Sequence, residues 1–120
     1  MSEAKRRFWG WGLEGQGPDA DQQQGILRSM VERLGGADLE LAPEPRLEDI
    51  ELRAPRLTPP DSLAEICSTS PEDRANRTYG KSYRDVVRAV RGDFSNPPDI
   101  VAFPRNEGEV AAALDWCGDT

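Results

Sequence analysis

The chain has 120 residues, enough for one small domain with a modest core. Hydrophobic residues make up 37% and charged residues 31%, beside ten prolines and eleven glycines, so apolar material for a self-sufficient core is thin. A net charge of −7 argues against nucleic acid as a main partner, and the absence of histidine removes the commonest general base and metal ligand.

Two cysteines, Cys67 and Cys117, make neither a disulfide framework nor a metal site. Lys5, Arg6 and Arg7 near the start are not followed by an apolar run. That predicts no signal peptide, no membrane span and a reducing cytoplasmic setting.

In chain order, residues 1–20 read as a Gly/Trp-rich, locally basic arm without helical or strand period. A helix is predicted from Asp21 to Leu34: Ile26, Leu27, Met30, Val31 and Leu34 share one face, and Gly35-Gly36 supplies the stop. Residues 37–60 carry five prolines and are extended, with a short edge strand at Ile50–Leu52. Asp61 or Ser62 then caps a helical turn running through Cys67.

Three capping pairs follow. Ser70 and Asp73 flank Pro71 at a helix start; Ser82 and Asp85 precede Val86, Val87 and Val90, with Gly92 as the stop; Asn106 and Glu109 precede Val110 and Leu114. Between the last two lie Pro97-Pro98, a buried strand at Ile100–Phe103, and Pro104 as its breaker. Strand, turn and a helix over 107–116 make the opening unit of an α/β domain, to which a parallel strand would add. The predicted class is therefore α+β or mixed α/β, a mainly helical segment leading into a strand–helix unit. The predicted divisions are an arm over 1–20, a helical and extended region over 21–96, and a truncated α/β domain over 97–120.

Several patterns look chemical. Gly10, Gly12 and Gly15 have the spacing of dinucleotide-binding glycines, but no buried strand can precede them. Gly80-Lys81-Ser82 resembles the end of a phosphate loop, but Ala75 stands where that loop needs glycine; a helix stop at Gly80 and a cap at Ser82 explain it better. Asn76-Arg77-Thr78 is a formal glycosylation acceptor inside a predicted helix. The adjacent carboxylates Glu48/Asp49 and Glu72/Asp73 do not share a helix face and take no acid/base role. Catalytic, cofactor-binding and metal-binding residues are thus all expected to be absent from this stretch.

The arm interleaves Lys5, Arg6 and Arg7 with Phe8, Trp9 and Trp11. It can anchor by packing into a groove, contact a membrane surface through Trp9 and Trp11, or stack on nucleic acid. Docking is favoured, because such large apolar side chains in a glycine-flexible arm bury well.

Taken together, RRFWGWG, the run from Arg77 to Val110 and the closing AAALDWC resemble the N-terminal part of the FAD-linked oxidases of the vanillyl-alcohol-oxidase type. Within that family the likeness is to alkyldihydroxyacetonephosphate synthase and its bacterial relatives. It is strongest from Arg77 to Cys117 and diffuse between Ala37 and Pro60. Relatives often carry a histidine in the stretch matching Asn76–Tyr79, and this chain has none.

The resemblance implies a parent enzyme that binds FAD and acts on a lipid-like substrate in ether-lipid synthesis, or else oxidises 2-hydroxy acids such as lactate or glycolate. It also implies that the loop holding the FAD pyrophosphate lies after Thr120, so the chain itself is expected to be inactive and not to hold FAD tightly. Two other readings remain: a non-enzymatic interaction module built on the Trp arm, and a gene remnant without function. Under the truncated reading, Val110, Leu114 and Trp116 would lie partly exposed, a surface for self-association.

Overall fold

The chain is described over residues 4–120 in a computed structural model. The first three residues of the expected arm lie outside the described residues. Two compact units emerge, residues 4–7 with Trp11–Glu44, and Phe8–Gly10 with Pro45–Thr120.

In the first unit the arm turns back on itself. Arg6 bridges Leu13 in antiparallel fashion. The Arg7 amide donates to Gly12 O at 3.1 Å and the Glu14 amide to Lys5 O at 2.8 Å. Gly12, at φ +81°, supplies the left-handed residue that lets the chain reverse. A strand bridge here was not legible from period, because a single pair has none. The glycine pattern is therefore part of a closed turn, and no helix opens at Gly15.

Helix α1 (Ala20–Arg33) starts where local chemistry dictates. Asp19 Oδ1 accepts from the Gln22 amide at 2.8 Å, and Gln22 Oε1 accepts from the Asp19 amide at 2.9 Å. Gly35 and Gly36 end it at φ +71° and +83°, as expected of a glycine stop. Its apolar face is only partly covered: Leu27 and Val31 are half-buried, while Ile26, Met30 and Leu34 are exposed.

The second unit holds the core. Phe8, Ala75, Ala89 and Phe94 are buried together, with Trp9, Leu47, Ile50 and Leu52 packed against them. The Phe94 ring lies 5.9 Å from that of Phe8 and 6.1 Å from that of Tyr79, both tilted, a favourable aromatic arrangement. Helices α2 (Pro71–Asn76) and α3 (Tyr83–Val90) contribute Ala75 and Ala89. Both start at predicted caps: Ser70 Oγ accepts from the Asp73 amide at 3.2 Å, and Ser82 with Asp85 forms a reciprocal box. In the Ser70 case the Asp73 carboxylate bonds the hydroxyls of Ser68 and Ser70 instead of the cap amide. Helix α2 ends at Asn76, four residues before the expected stop at Gly80. Gly92, at φ +76°, closes α3 as predicted.

The sheet is small. Strand β1 (Cys67–Ser68) pairs antiparallel with β2 (Val101–Ala102), with Cys67 opposite Ala102. The expected strand at Ile100–Phe103 is thus shorter: Val101 is buried, but Phe103 is 45% exposed. Its partner has only two residues, and Pro104 stops further pairing. Residues 64–66 form the predicted turn as a single 3-10 turn, without a side-chain cap from Asp61 or Ser62. The edge strand expected at Ile50–Leu52 does not form: residues 47–49 make a 3-10 turn, and Ile50 and Leu52 pack on the core without a strand partner. Helix α4 (Glu107–Asp119) starts at Asn106, whose Oδ1 accepts from the Glu109 amide at 3.0 Å, and buries no residue fully. The architecture is the predicted mixed one, four helices and a two-stranded sheet among the described residues.

Candidate functional site

The most organised polar site of the second unit surrounds the Pro97-Pro98-Asp99 turn that launches β2. Three arginines converge on it. Arg53 bonds the Asp99 carboxylate and donates through Nη2 to Pro97 O at 2.6 Å. The Arg56 backbone amide donates to Asp99 Oδ1 at 2.9 Å, and its Nη2 to Oδ2 at 3.2 Å. Arg74 donates through Nε to Pro98 O at 2.8 Å and through Nη2 to Arg53 O at 2.7 Å.

The burial explains the choice of residues. Arg74 is only 2% exposed, and a buried guanidinium is tolerated where its fixed fork finds acceptors. Here it satisfies two carbonyls that the irregular backbone leaves without ladder partners. The Asp99 carboxyl is held well below its usual range, first by the Arg56 amide and then by the Arg53 side chain. It is a structural anion, not a proton carrier at neutral pH.

The strand's exit is fixed in the same manner. Arg105 spans Glu65, Nη1 to Oε1 at 3.2 Å, and Glu109, Nη2 to Oε1 at 2.7 Å. The Phe103 amide donates to Ile66 O at 2.8 Å. Both ends of β2 are therefore pinned, the entry by Asp99 and the exit by Arg105.

Burial shifts three further side chains of this unit. Burial pushes the Cys67 thiol up, which keeps it protonated and a poor nucleophile. Burial also pushes the Tyr79 hydroxyl up; its ring carries the Arg88 guanidinium 5.7 Å from the centroid. Lys81 is lowered by burial, and its ammonium donates to Phe8 O at 2.8 Å. It ties the strand-free segment at Phe8 to the loop before α3. Among the described residues, no group of three or more acidic or cysteine side chains could hold a metal ion. No helix among them is long and apolar enough to cross a membrane.

The aromatic arm divides by position. Phe8 is buried and Trp9 packs half-buried against the core, so both serve as own-protein anchors. Trp11 stands 57% exposed. The residues that organise the turn, Arg53, Arg56 and Arg74, were not legible as a set. Their partners lie 21 to 46 positions away, and no spacing rule connects them.

No family model and no curated protein matches the chain. Solved structures do. Alkyldihydroxyacetonephosphate synthase in crystal form P1 superposes with a TM-score of 0.68 at 20% identity, covering 91% of this chain and 25% of that one. The same enzyme in P212121 gives 0.67 at 21% identity, covering 91% and 24%. The likeness is one of fold. The chain spans about a quarter of the length of these structures.

The resemblance seen in the sequence brings FAD into question, and the strand–helix junction is where a pyrophosphate could be tested. The residues there do not fit one. The first turn of α4 is occupied by the Asn106 side chain and carries Glu107 and Glu109, like charges for a phosphate. Pro104 and Arg105 stand where a glycine-rich cradle would be needed.

Proposed function

We propose that this chain is the scaffold portion of an FAD-dependent oxidoreductase or alkyl-transferase of the alkyldihydroxyacetonephosphate synthase type. The observation that carries the reading is the superposition over 91% of the chain at a TM-score of 0.68. The pinned turn and strand support it. Residues 97–105 are held at both ends by arginine–carboxylate contacts, as suits a segment that must present a sheet edge in fixed position.

On this reading FAD is held by residues beyond this stretch, and the present residues bind, brace and orient without taking part in chemistry. The substrate is lipid-like, the product an ether lipid, and the setting cytoplasmic. Exposed Val110 and Leu114 on α4 then form a face for further sheet or for self-association, while Trp116 is half-buried.

Flavin fluorescence titration of the 120-residue chain tests the division of labour. The reading expects no binding at micromolar FAD. Reading the genomic sequence past codon 120 tests the parentage: an in-frame continuation with a glycine-rich segment supports it, and its lack in an expressed, stable product contradicts it.

A further inference from the structure

Residues 74–91 carry six cations, Arg74, Arg77, Lys81, Arg84, Arg88 and Arg91, against the single acid Asp85, in a chain of net charge −7. Arg74 and Lys81 turn inward to backbone carbonyls. Arg84, Arg88 and Arg91 are arranged by α3 and its C-cap. Successive helical residues rotate by about 100°, so Arg84, Arg88 and Arg91, at i, i+4 and i+7, form one stripe. It lies opposite the side that buries Ala89.

Of the stripe, Arg88 interacts electrostatically with Asp93. Among the described residues Arg77, Arg84 and Arg91 form no ion pair. By contrast, Arg46, Arg53, Arg56 and Arg105 are each paired with a carboxylate. The nearby acids are engaged: Asp85 Oδ2 accepts from the Ser82 amide and hydroxyl, and Asp93 Oδ1 from Ser95. Tyr83 stands 76% exposed on the flank of the stripe, an amphipathic ring of the kind that settles at a membrane–water boundary.

We propose that the outer face of α3, with Arg84, Arg88 and Arg91 as its cationic ridge and Tyr83 at its side, is a contact site for an anionic lipid surface. An anionic bilayer attracts such a ridge within a screening length of about 8 Å at physiological salt. The net charge of −7 makes nucleic acid the poorer fit. The proposal goes beyond the flavin-enzyme reading and stands on α3 alone.

The test is co-sedimentation of the full chain with phosphatidylcholine vesicles, with and without phosphatidylserine. Binding is expected only to the anionic vesicles and should fall as salt rises. The R84Q/R91Q pair, which spares the Arg88 contact on Tyr79, should weaken it by about five-fold per arginine. R28Q/R33Q removes the same charge from exposed positions of α1 and should leave binding nearly unchanged. Absence of binding to anionic vesicles, equal binding to neutral ones, or equal loss in both double variants would overturn the proposal. Circular dichroism of each variant separates a lost contact from a lost fold.

Discussion

At the scale of single residues, Asp99 and Arg74 hold the turn before β2 to the segment that carries Arg53 and Arg56. Asp99 is an anion fixed by an amide and two arginines, with a side chain only 12% exposed. Its folded pKa lies below that of the unfolded chain, near 3.9. Its contribution is therefore present above the ordinary carboxylate range and is lost as pH falls through it toward the folded value. Urea midpoints of wild type and Asp99→Asn should differ clearly at neutral pH and converge as the solution is acidified below about pH 4. A gap independent of pH would contradict the ionic account. For Arg74 the expectation is larger. Arg74→Ala strands two part-buried carbonyls and should cost about 3 kcal/mol. Arg74→Lys should recover little of that, since a point-like ammonium cannot serve two acceptors in the geometry of a fork. Both losses are read from chemical denaturation.

At the scale of elements, helix starts were legible and helix partners were not. Ser70, Ser82 and Asn106 each cap their helix as the local pattern dictates, because a cap is settled within four residues. Ser82→Ala should therefore lower stability by about 1 kcal/mol, with the loss appearing in the denaturation midpoint. Strand β1 escaped notice because two residues carry no period, and its partner lies more than thirty positions away. The edge strand expected at Ile50–Leu52 failed for a related reason. Apolar side chains in a proline-rich run can fill a core without any ladder, as Ile50 and Leu52 do. The arginine set around Asp99 was hidden for the same cause, since its members come from an extended segment and a helix that only the fold brings together. The candidate site was thus less readable than the fold.

At the scale of the whole chain, the core is small for 120 residues, with seven buried hydrophobic residues and the buried Pro97 among those described. Phe94, 3% exposed and touching both Phe8 and Tyr79, should be costly to truncate: Phe94→Ala is expected to lose about 3–5 kcal/mol, a large share of what a domain of this size possesses. Loss of near-ultraviolet dichroism at ambient temperature would report it. Outside the core, Phe103, Val110 and Leu114 remain exposed along β2 and α4. Sedimentation velocity should show concentration-dependent association of the chain, reduced in Leu114→Glu.

The scaffold reading requires that pyrophosphate binding come from other residues, because Asn106, Glu107 and Glu109 occupy the helix start beside β2. A parallel FAD titration of the 120-residue chain and of a version extended by its in-frame downstream sequence addresses this most directly. The account predicts that flavin fluorescence is unchanged by the short chain and that FAD is retained by the extended one. Micromolar FAD binding by the short chain, or no retention by a folded extended chain, would contradict it.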